Sequence, residues 1–233
     1  MTDRPQLIAG ALPGAILAAA AAVTGLLRRD KALHPVGRQG TGRLTVTDPA
    51  PALGIEALAG AGTRQCRARW SRSMGLPQQW PDIEGLALRL DGAGPDGGDA
   101  DLLFASTGGR RWNRYVLTLR GRGRFGRLTT LLPARAGGRA VTFRLSPESE
   151  PRGGLPPATY SLDLALGTGS WQPVGRIDMA WVEADIADRF DPITHPLAGL
   201  EQYAFVTALR EPAYVAARAV ARARPTTGGH HHA

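Results

Sequence analysis

Alternating apolar and polar positions recur in short segments along most of the chain. The segments are 42–47, 66–71, 85–90, 100–104, 140–144, 160–166 and 174–181. Alternation at period two predicts β-strands, because successive side chains of a strand point to opposite faces. Turn sequences such as Pro95-Asp-Gly-Gly98 and Gly167-Thr-Gly-Ser170 separate the strands. The pattern predicts an α+β fold built on an antiparallel β-barrel with flanking helices, and residues 111–118 are expected to be helical.

Residues 7–27 form an uncharged stretch that is long enough to span a membrane. Alanine and glycine dominate this stretch and Pro13 interrupts it, so insertion would be only marginally favourable. We therefore expect an N-terminal apolar helix within residues 1–30 that packs on the protein or contacts a membrane. Residues 31–224 are expected to form one domain, and the turn-rich tail 225–233 to be disordered.

The composition narrows the function classes. The net charge is +8, but the arginines are scattered and Lys31 is the single lysine, so nucleic acid is not an expected partner. The single cysteine, Cys66, excludes an intramolecular disulfide and favours a reducing, cytoplasmic compartment. Its place in a predicted strand indicates a core residue rather than a nucleophile. Outside the tail only His34 and His195 are histidines, and neither has a metal-ligand spacing, which argues against a metal-dependent hydrolase.

Several short motifs follow one another in a fixed order. They are Lys31-Ala-Leu-His34-Pro-Val-Gly37, Arg69-Trp-Ser71, Asp82-Ile-Glu-Gly85-Leu-Ala-Leu-Arg89-Leu, Asp101-Leu-Leu, Phe190-Asp-Pro192, Ala198-Gly-Leu-Glu201 and Arg210-x-x-x-Tyr214. Taken together, this series resembles the haem catalases and their shorter catalase-like relatives over residues 31–218. The resemblance implies a catalase-like barrel that binds ferric haem b and uses peroxide.

On the distal side of the haem, the resemblance implies that His34 is the catalytic base. A neutral histidine can take the proton from one peroxide oxygen and return it to the departing oxygen. Ser71 would hold the other ring nitrogen of His34. Ser106 is the remaining distal candidate, because it lies in the stretch where catalases carry an asparagine.

On the proximal side, the resemblance implies that Tyr214 is the iron ligand, as a phenolate. Free tyrosine has a pKa near 10, so a cation must keep the phenolate ionised, and Arg210 would supply it. Arg69 would pair with a haem propionate.

The chain also departs from the family pattern. Phe104-Ala-Ser106 replaces the stretch with the distal asparagine, and Ala105 cannot hydrogen-bond peroxide. Glu84 replaces a family arginine. We therefore expect a catalase-like peroxidase, or an enzyme that converts organic hydroperoxides, rather than a fast dismutase. Its partners would be peroxide and a small organic substrate, a membrane through residues 7–27, and, in a homo-oligomer, further copies of the chain.

A second hypothesis belongs to a different class of protein. The chain would be a catalase-like barrel without haem that binds an apolar ligand or a membrane surface. An absorption spectrum of the purified protein distinguishes the two, because tyrosinate-ligated haem is coloured.

Overall fold

The computed structural model describes residues 37–73, 76–77, 79–108, 113–130, 133–183 and 190–202. The strands are β1 (Gly37–Val46), β2 (Gly62–Arg72), β3 (Asp82–Leu90), β4 (Ala100–Ser106), β5 (Leu119–Arg120), β6 (Leu128–Thr129), β7 (Ala134–Ala136), β8 (Arg139–Pro147), β9 (Thr159–Leu166), β10 (Trp171–Val182) and β11 (Glu201–Gln202). Each of the seven predicted segments overlaps one of these strands.

Helices contribute little to this part of the chain. Within the described residues, the helical elements are three short 3₁₀ turns at Pro51–Leu53, Glu56–Leu58 and Pro95–Gly97. Residues 113–115 form a turn, so the helix predicted over 111–118 is wrong for the part that is described. The predicted helix within 1–30 and the tail 225–233 lie outside the described residues. No helix that the structure describes is both long and apolar enough to cross a bilayer.

Eight strands close into an antiparallel barrel, as the alternation predicted. Their order around the barrel is β1, β2, β3, β4, β6, β8, β9 and β10, and β10 pairs with β1 to complete the circle. β5 pairs with the start of β3, while β7 and β11 extend the sheet beside β8. Closure satisfies the backbone groups that an open edge strand would leave exposed.

Apolar side chains fill the barrel interior. Leu44, Leu88, Leu145 and Leu162 are among the residues of the core and are at most 2% exposed. Cys66 belongs to the same cluster, and burial, with a smaller effect of Asp91, raises the pKa of its thiol to about 12. The thiol is therefore held neutral, and Cys66 is a small core residue, as its strand position indicated.

The Asp101 carboxylate on the outer face of β4 fixes the segment 190–202 to the barrel. It accepts hydrogen bonds from the Nε and Nη2 atoms of Arg89, both at 2.7 Å, and from the backbone N–H of Asp191 at 2.6 Å. The Arg89 guanidinium also lies 5.1 Å from the centre of the Phe190 ring. Three of the motifs that carry the family resemblance therefore meet at one buried carboxylate. His195, with its Nδ1 atom 3.5 Å from Asp101, is a loop residue, as expected.

Gly42 is needed where β1 runs beside β10. A Cβ atom at this position would overlap the carbonyl oxygen of Asp178 and come within 2.7 Å of the Met179 sulfur. We predict that Gly42→Ala lowers the free energy of unfolding by about 1–3 kcal/mol, because the strands must separate to admit the methyl group. Urea unfolding measures the change. Gly62→Ala, where a Cβ would meet nothing within 4 Å, is the control, and equal effects of the two substitutions would contradict the prediction.

Candidate functional site

Two of the predicted site residues, Arg69 and Ser71, share the outer face of β2. Their side chains point away from the core because the alternate positions, Ala68 and Trp70, face the barrel interior. The strand register arranges the outer-face residues of β1 to β4 in rows that cross the strands. Ser71 lies in a row with Gly37, Gly85 and Ala105. Arg69 lies in the neighbouring row with Gln39, Ala87 and Leu103.

The surface beside Ser71 is a floor of small residues that we call the outer wall: Gly37, Ser71, Gly85, Ala87 and Ala105, with Arg69 at its side. At Gly85 an added Cβ would lie 3.0 Å from the Ser73 Oγ atom and 3.5 Å from the Ser71 Oγ atom. The two hydroxyls therefore flank the space above Gly85. Ser73 is 4% exposed and was missed by the sequence analysis. Its spacing of two from Ser71 was the available signal, since strand residues two apart share a face.

Ser106 lies on the opposite side of the sheet from Ser71 and Arg69. Its side chain is fully buried, and its hydroxyl accepts a hydrogen bond from the Glu84 N–H at 3.1 Å and donates one to the Thr118 carbonyl at 2.6 Å. The structure therefore does not bring Ser106 together with the other two described candidates. Ala105 occupies the corresponding position on the outer wall. One residue of displacement along a strand is enough to change the face.

The remaining candidates, His34, Arg210 and Tyr214, lie outside the described residues. Within the part of the chain that the structure describes, no group of three or more histidine, cysteine, aspartate or glutamate side chains is arranged to hold a metal ion.

The barrel interior becomes polar at one end, around Glu84. The residue is 3% exposed, its Oε1 atom accepts a hydrogen bond from Trp70 Nε1 at 3.0 Å, and its Oε2 atom lies 3.3 Å from Arg120 Nε. Burial raises the pKa of this carboxyl to about 7, against the opposing effects of the Trp70 hydrogen bond, the Arg120 charge and the Gly126 backbone. Burial also raises the pKa of Tyr160, with a further contribution from the charge of Glu84.

A cavity of about 270 Å³ opens beside Glu84 at this end of the barrel, and we call it the barrel-mouth pocket. Inner-face residues of β1, β2 and β3 form its floor, and a glycine-rich loop after β5 forms much of its rim. The lining residues are Arg38, Trp70, Arg72, Asp82, Glu84, Arg120, Gly121, Arg122, Gly123, Arg124, Phe125, Gly153 and Gly154. In the sequence, Glu84 stands out only as a departure from a family motif, and nothing local to it indicates a pocket.

Comparison with known proteins identifies the fold. No family model and no curated protein matches the chain. Among solved structures, a fungal catalase superposes with a TM-score of 0.53 at 10% identity, covering 80% of this chain and 57% of the catalase. Catalase A from Saccharomyces cerevisiae superposes with a TM-score of 0.52, also at 10% identity, covering 80% of this chain and 59% of that protein. The chain therefore has the catalase β-barrel fold, and the match spans less than two thirds of the length of either catalase.

The buried Glu84 makes stability depend on pH. Its carboxyl keeps its proton up to about pH 7 when folded and loses it near pH 4.5 when unfolded, so stability falls as pH rises between these values. We predict that Glu84→Gln, which can still accept from Trp70, is more stable than the parent by about 2–3 kcal/mol at about pH 8 and nearly equal to it at about pH 4.

Urea unfolding at the two pH values tests this prediction. Glu148→Gln is the control for the loss of one carboxylate, because Glu148 is an exposed residue paired with Arg176. A stability difference between Glu84→Gln and the parent that stays constant with pH would show that the carboxyl is ionised throughout.

Proposed function

We propose that the chain is a haem-dependent, peroxide-utilising oxidoreductase whose distal site lies on the outer wall. The observation that carries the proposal is the presence of Arg69 and Ser71 on one face of β2, beside a floor of glycine and alanine, in a barrel of the catalase fold.

The described residues fit the distal side of a planar cofactor. Gly85, Ala87 and Ala105 have no side chain beyond a methyl group, so a flat macrocycle can approach the backbone of β3 and β4. At Gly85 the missing side chain leaves room for the Ser73 and Ser71 hydroxyls, which an added Cβ would meet at 3.0 and 3.5 Å. Arg69 would hold a propionate at the side of the floor, since a guanidinium binds a carboxylate through two parallel hydrogen bonds. Haem b would supply the iron at which the oxygen–oxygen bond of peroxide is reduced.

His34 would move the proton. Gly37, whose partner across the sheet is Ser71, follows His34 by three positions, and three residues of chain span no more than about 11 Å. This covalent limit supports a hydrogen bond from Ser71 to one ring nitrogen of His34. The other ring nitrogen would accept a proton from one peroxide oxygen and deliver it to the departing oxygen.

Tyr214 and Arg210 would act on the opposite side of the haem. Tyr214 would bind the iron through its phenolate oxygen, and the Arg210 guanidinium would keep that oxygen ionised at neutral pH. Both assignments rest on the motif Arg210-x-x-x-Tyr214 in the sequence.

The absence of an amide at Ala105 bears on the type of reaction. The outer wall has only a methyl group at this position, which is 4% exposed. It cannot orient a second peroxide molecule by hydrogen bonding. We therefore propose that the substrate pair is a peroxide and a small organic molecule, which the peroxide oxidises, rather than two molecules of hydrogen peroxide.

The first experiment is an absorption spectrum of the full chain before and after addition of haemin, followed by peroxide. The proposal requires a Soret band that shifts when peroxide is added. A protein that remains colourless with haemin would overturn it in favour of a barrel without haem that binds other ligands.

Substitutions on the outer wall test the roles of individual residues. We predict that Ser71→Ala retains haem but slows the reaction with peroxide by about 10- to 100-fold, because the base loses its orienting partner. His34→Ala should abolish the reaction with haem still bound, and Tyr214→Phe should change the ferric spectrum or lose the haem. Ser161→Ala, on the outer face of β9, is the matched control. Stopped-flow spectra measure the rates, and equal rates for Ser71→Ala and Ser161→Ala would contradict the assignment of Ser71.

Introducing an amide side chain on the outer wall tests the preference for an organic substrate over a second molecule of hydrogen peroxide. We predict that Ala105→Asn raises the rate of hydrogen peroxide dismutation, followed as oxygen release, by about tenfold or more relative to oxidation of an organic donor. The control is Ser161→Asn, on the outer face of β9 and away from the outer wall. Unchanged oxygen release in both variants would show that position 105 does not face the peroxide.

A further inference from the structure

The barrel-mouth pocket is separate from the outer wall, although the two share strands. Arg38, Trp70 and Glu84 reach it from the inner faces of β1, β2 and β3, whereas Arg69 and Ser71 project from the outer face. The sheet itself lies between the two sites. A ligand in the pocket is therefore independent of the haem proposed above.

The pocket has an excess of positive charge. Five arginines and two acidic residues line it. Each acidic residue forms an ion pair with one arginine. The Nε atom of Arg120 lies 3.3 Å from the Oε2 atom of Glu84, and the Nε atom of Arg72 lies 3.8 Å from the Oδ2 atom of Asp82. The other three lining arginines, which are Arg38, Arg122 and Arg124, form no ion pair with another described residue.

Arg38 is the most buried of these three arginines. Its Nη1 atom donates a hydrogen bond to the Gly37 carbonyl at 3.3 Å, while its Nε atom is buried and bonds to nothing among the described residues. An unsatisfied buried donor costs about 1–3 kcal/mol, more when it is charged. An anion at this position would satisfy the Nε atom and neutralise the guanidinium together. Arg122 and Arg124 are exposed at the rim, where they would attract the anion from solution.

An aromatic wall completes the pocket. The rings of Trp70 and Phe125 are 5.4 Å apart between centroids and tilted by 53°. Such a pair offers an apolar surface on which a third ring can pack. The volume of about 270 Å³ lies just below the range of about 300–1,000 Å³ usual for drug-sized ligands, so the occupant is small.

We propose that the barrel-mouth pocket binds a small aromatic carboxylate. The carboxylate would bind the Arg38 guanidinium, and the ring would pack against Trp70 and Phe125. A carboxylate suits the pocket better than a phosphate monoester, because its planar group matches the guanidinium fork and one charge costs less to bury than two.

The Glu84 carboxyl makes binding depend on pH. The charged and titratable groups around it are Arg120 from β5, Arg72 from β2, Tyr160 from β9, Asp82 on its own strand and Arg38 from β1. Below about pH 7 the carboxyl holds a proton, so it does not repel the bound anion. Above about pH 7 it is ionised and opposes binding.

Isothermal titration calorimetry of the full chain with benzoate tests the proposal. Benzoate should bind at about pH 6, and benzyl alcohol and inorganic phosphate should bind at least tenfold more weakly, since each lacks half of the recognised chemistry. Arg38→Met should weaken benzoate binding at least tenfold. Arg43→Met is the matched control, because it removes the same charge from an exposed residue on the outer face of the same strand.

Two further measurements keep the test decisive. If Arg38→Met does not fold, the rim double variant Arg122→Met/Arg124→Met takes its place and should also weaken benzoate binding relative to Arg43→Met. Benzoate affinity should fall on the order of tenfold from about pH 6 to about pH 8 in the parent and remain constant in Glu84→Gln. Equal affinities for benzoate and phosphate, or equal losses in the pocket variants and Arg43→Met, would overturn the proposal. Haem absorption is read separately, so failure of one proposal does not decide the other.

Discussion

The alternation of side chains along β2 and β3 is the constraint on which both candidate sites depend. In the stretch Arg69 to Arg72, successive residues face outward, inward, outward and inward. The barrel wall is a single β-sheet at this point, so its outer and inner surfaces are separated by one layer of backbone. Both surfaces depend on the same hydrogen bonds between the strands. A one-residue slip in register would exchange the two sets of side chains and destroy both surfaces together. The apolar core below prevents such a slip, because it would move leucines such as Leu88 to the outside.

Arginine serves different physical purposes at different places in this structure. Arg89 and Arg144 bind the buried carboxylates of Asp101 and Asp163, and so connect neighbouring strands. The Arg144 guanidinium also lies 4.5 Å from the centre of the Trp171 ring. At the barrel mouth, by contrast, the arginines outnumber the acidic residues. Part of the positive net charge is therefore concentrated at the barrel mouth, which the scattered arginine positions in the sequence do not reveal.

Much of the barrel could be predicted from the sequence, because period-two alternation and turn residues are local signals. Strands such as β3 and β9 were predicted close to their observed bounds for this reason. The helix expected near residue 114 was wrong because Arg114 is held in a turn by tertiary contacts, with its Nη2 atom donating to the Gly169 carbonyl at 2.9 Å. No local pattern contains a bond to a residue 55 positions away.

The candidate sites were predictable to different degrees. Arg69 and Ser71 followed from a family resemblance, and their shared face follows from their spacing of two. The separate position of Ser106 required the register of β4, in which the residue next to Ala105 necessarily points the other way. The barrel-mouth pocket was not predictable, since it combines three strands with the loop around Phe125 and the turn at Gly153. Only the closed barrel brings those segments together.

Closure of the barrel by β1 and β10 also has a consequence for the folding of this chain. Gln39 pairs with Val182 and Val46 with Gly175, so the partner of β1 at this edge lies more than a hundred residues later in the chain. Pairings between such distant segments form slowly, because the loop that joins them must first lose its freedom. During synthesis, β1 leaves the ribosome with an unpaired edge that other chains can join. The chain is therefore most exposed to aggregation in the period before β1 and β10 pair and complete the barrel.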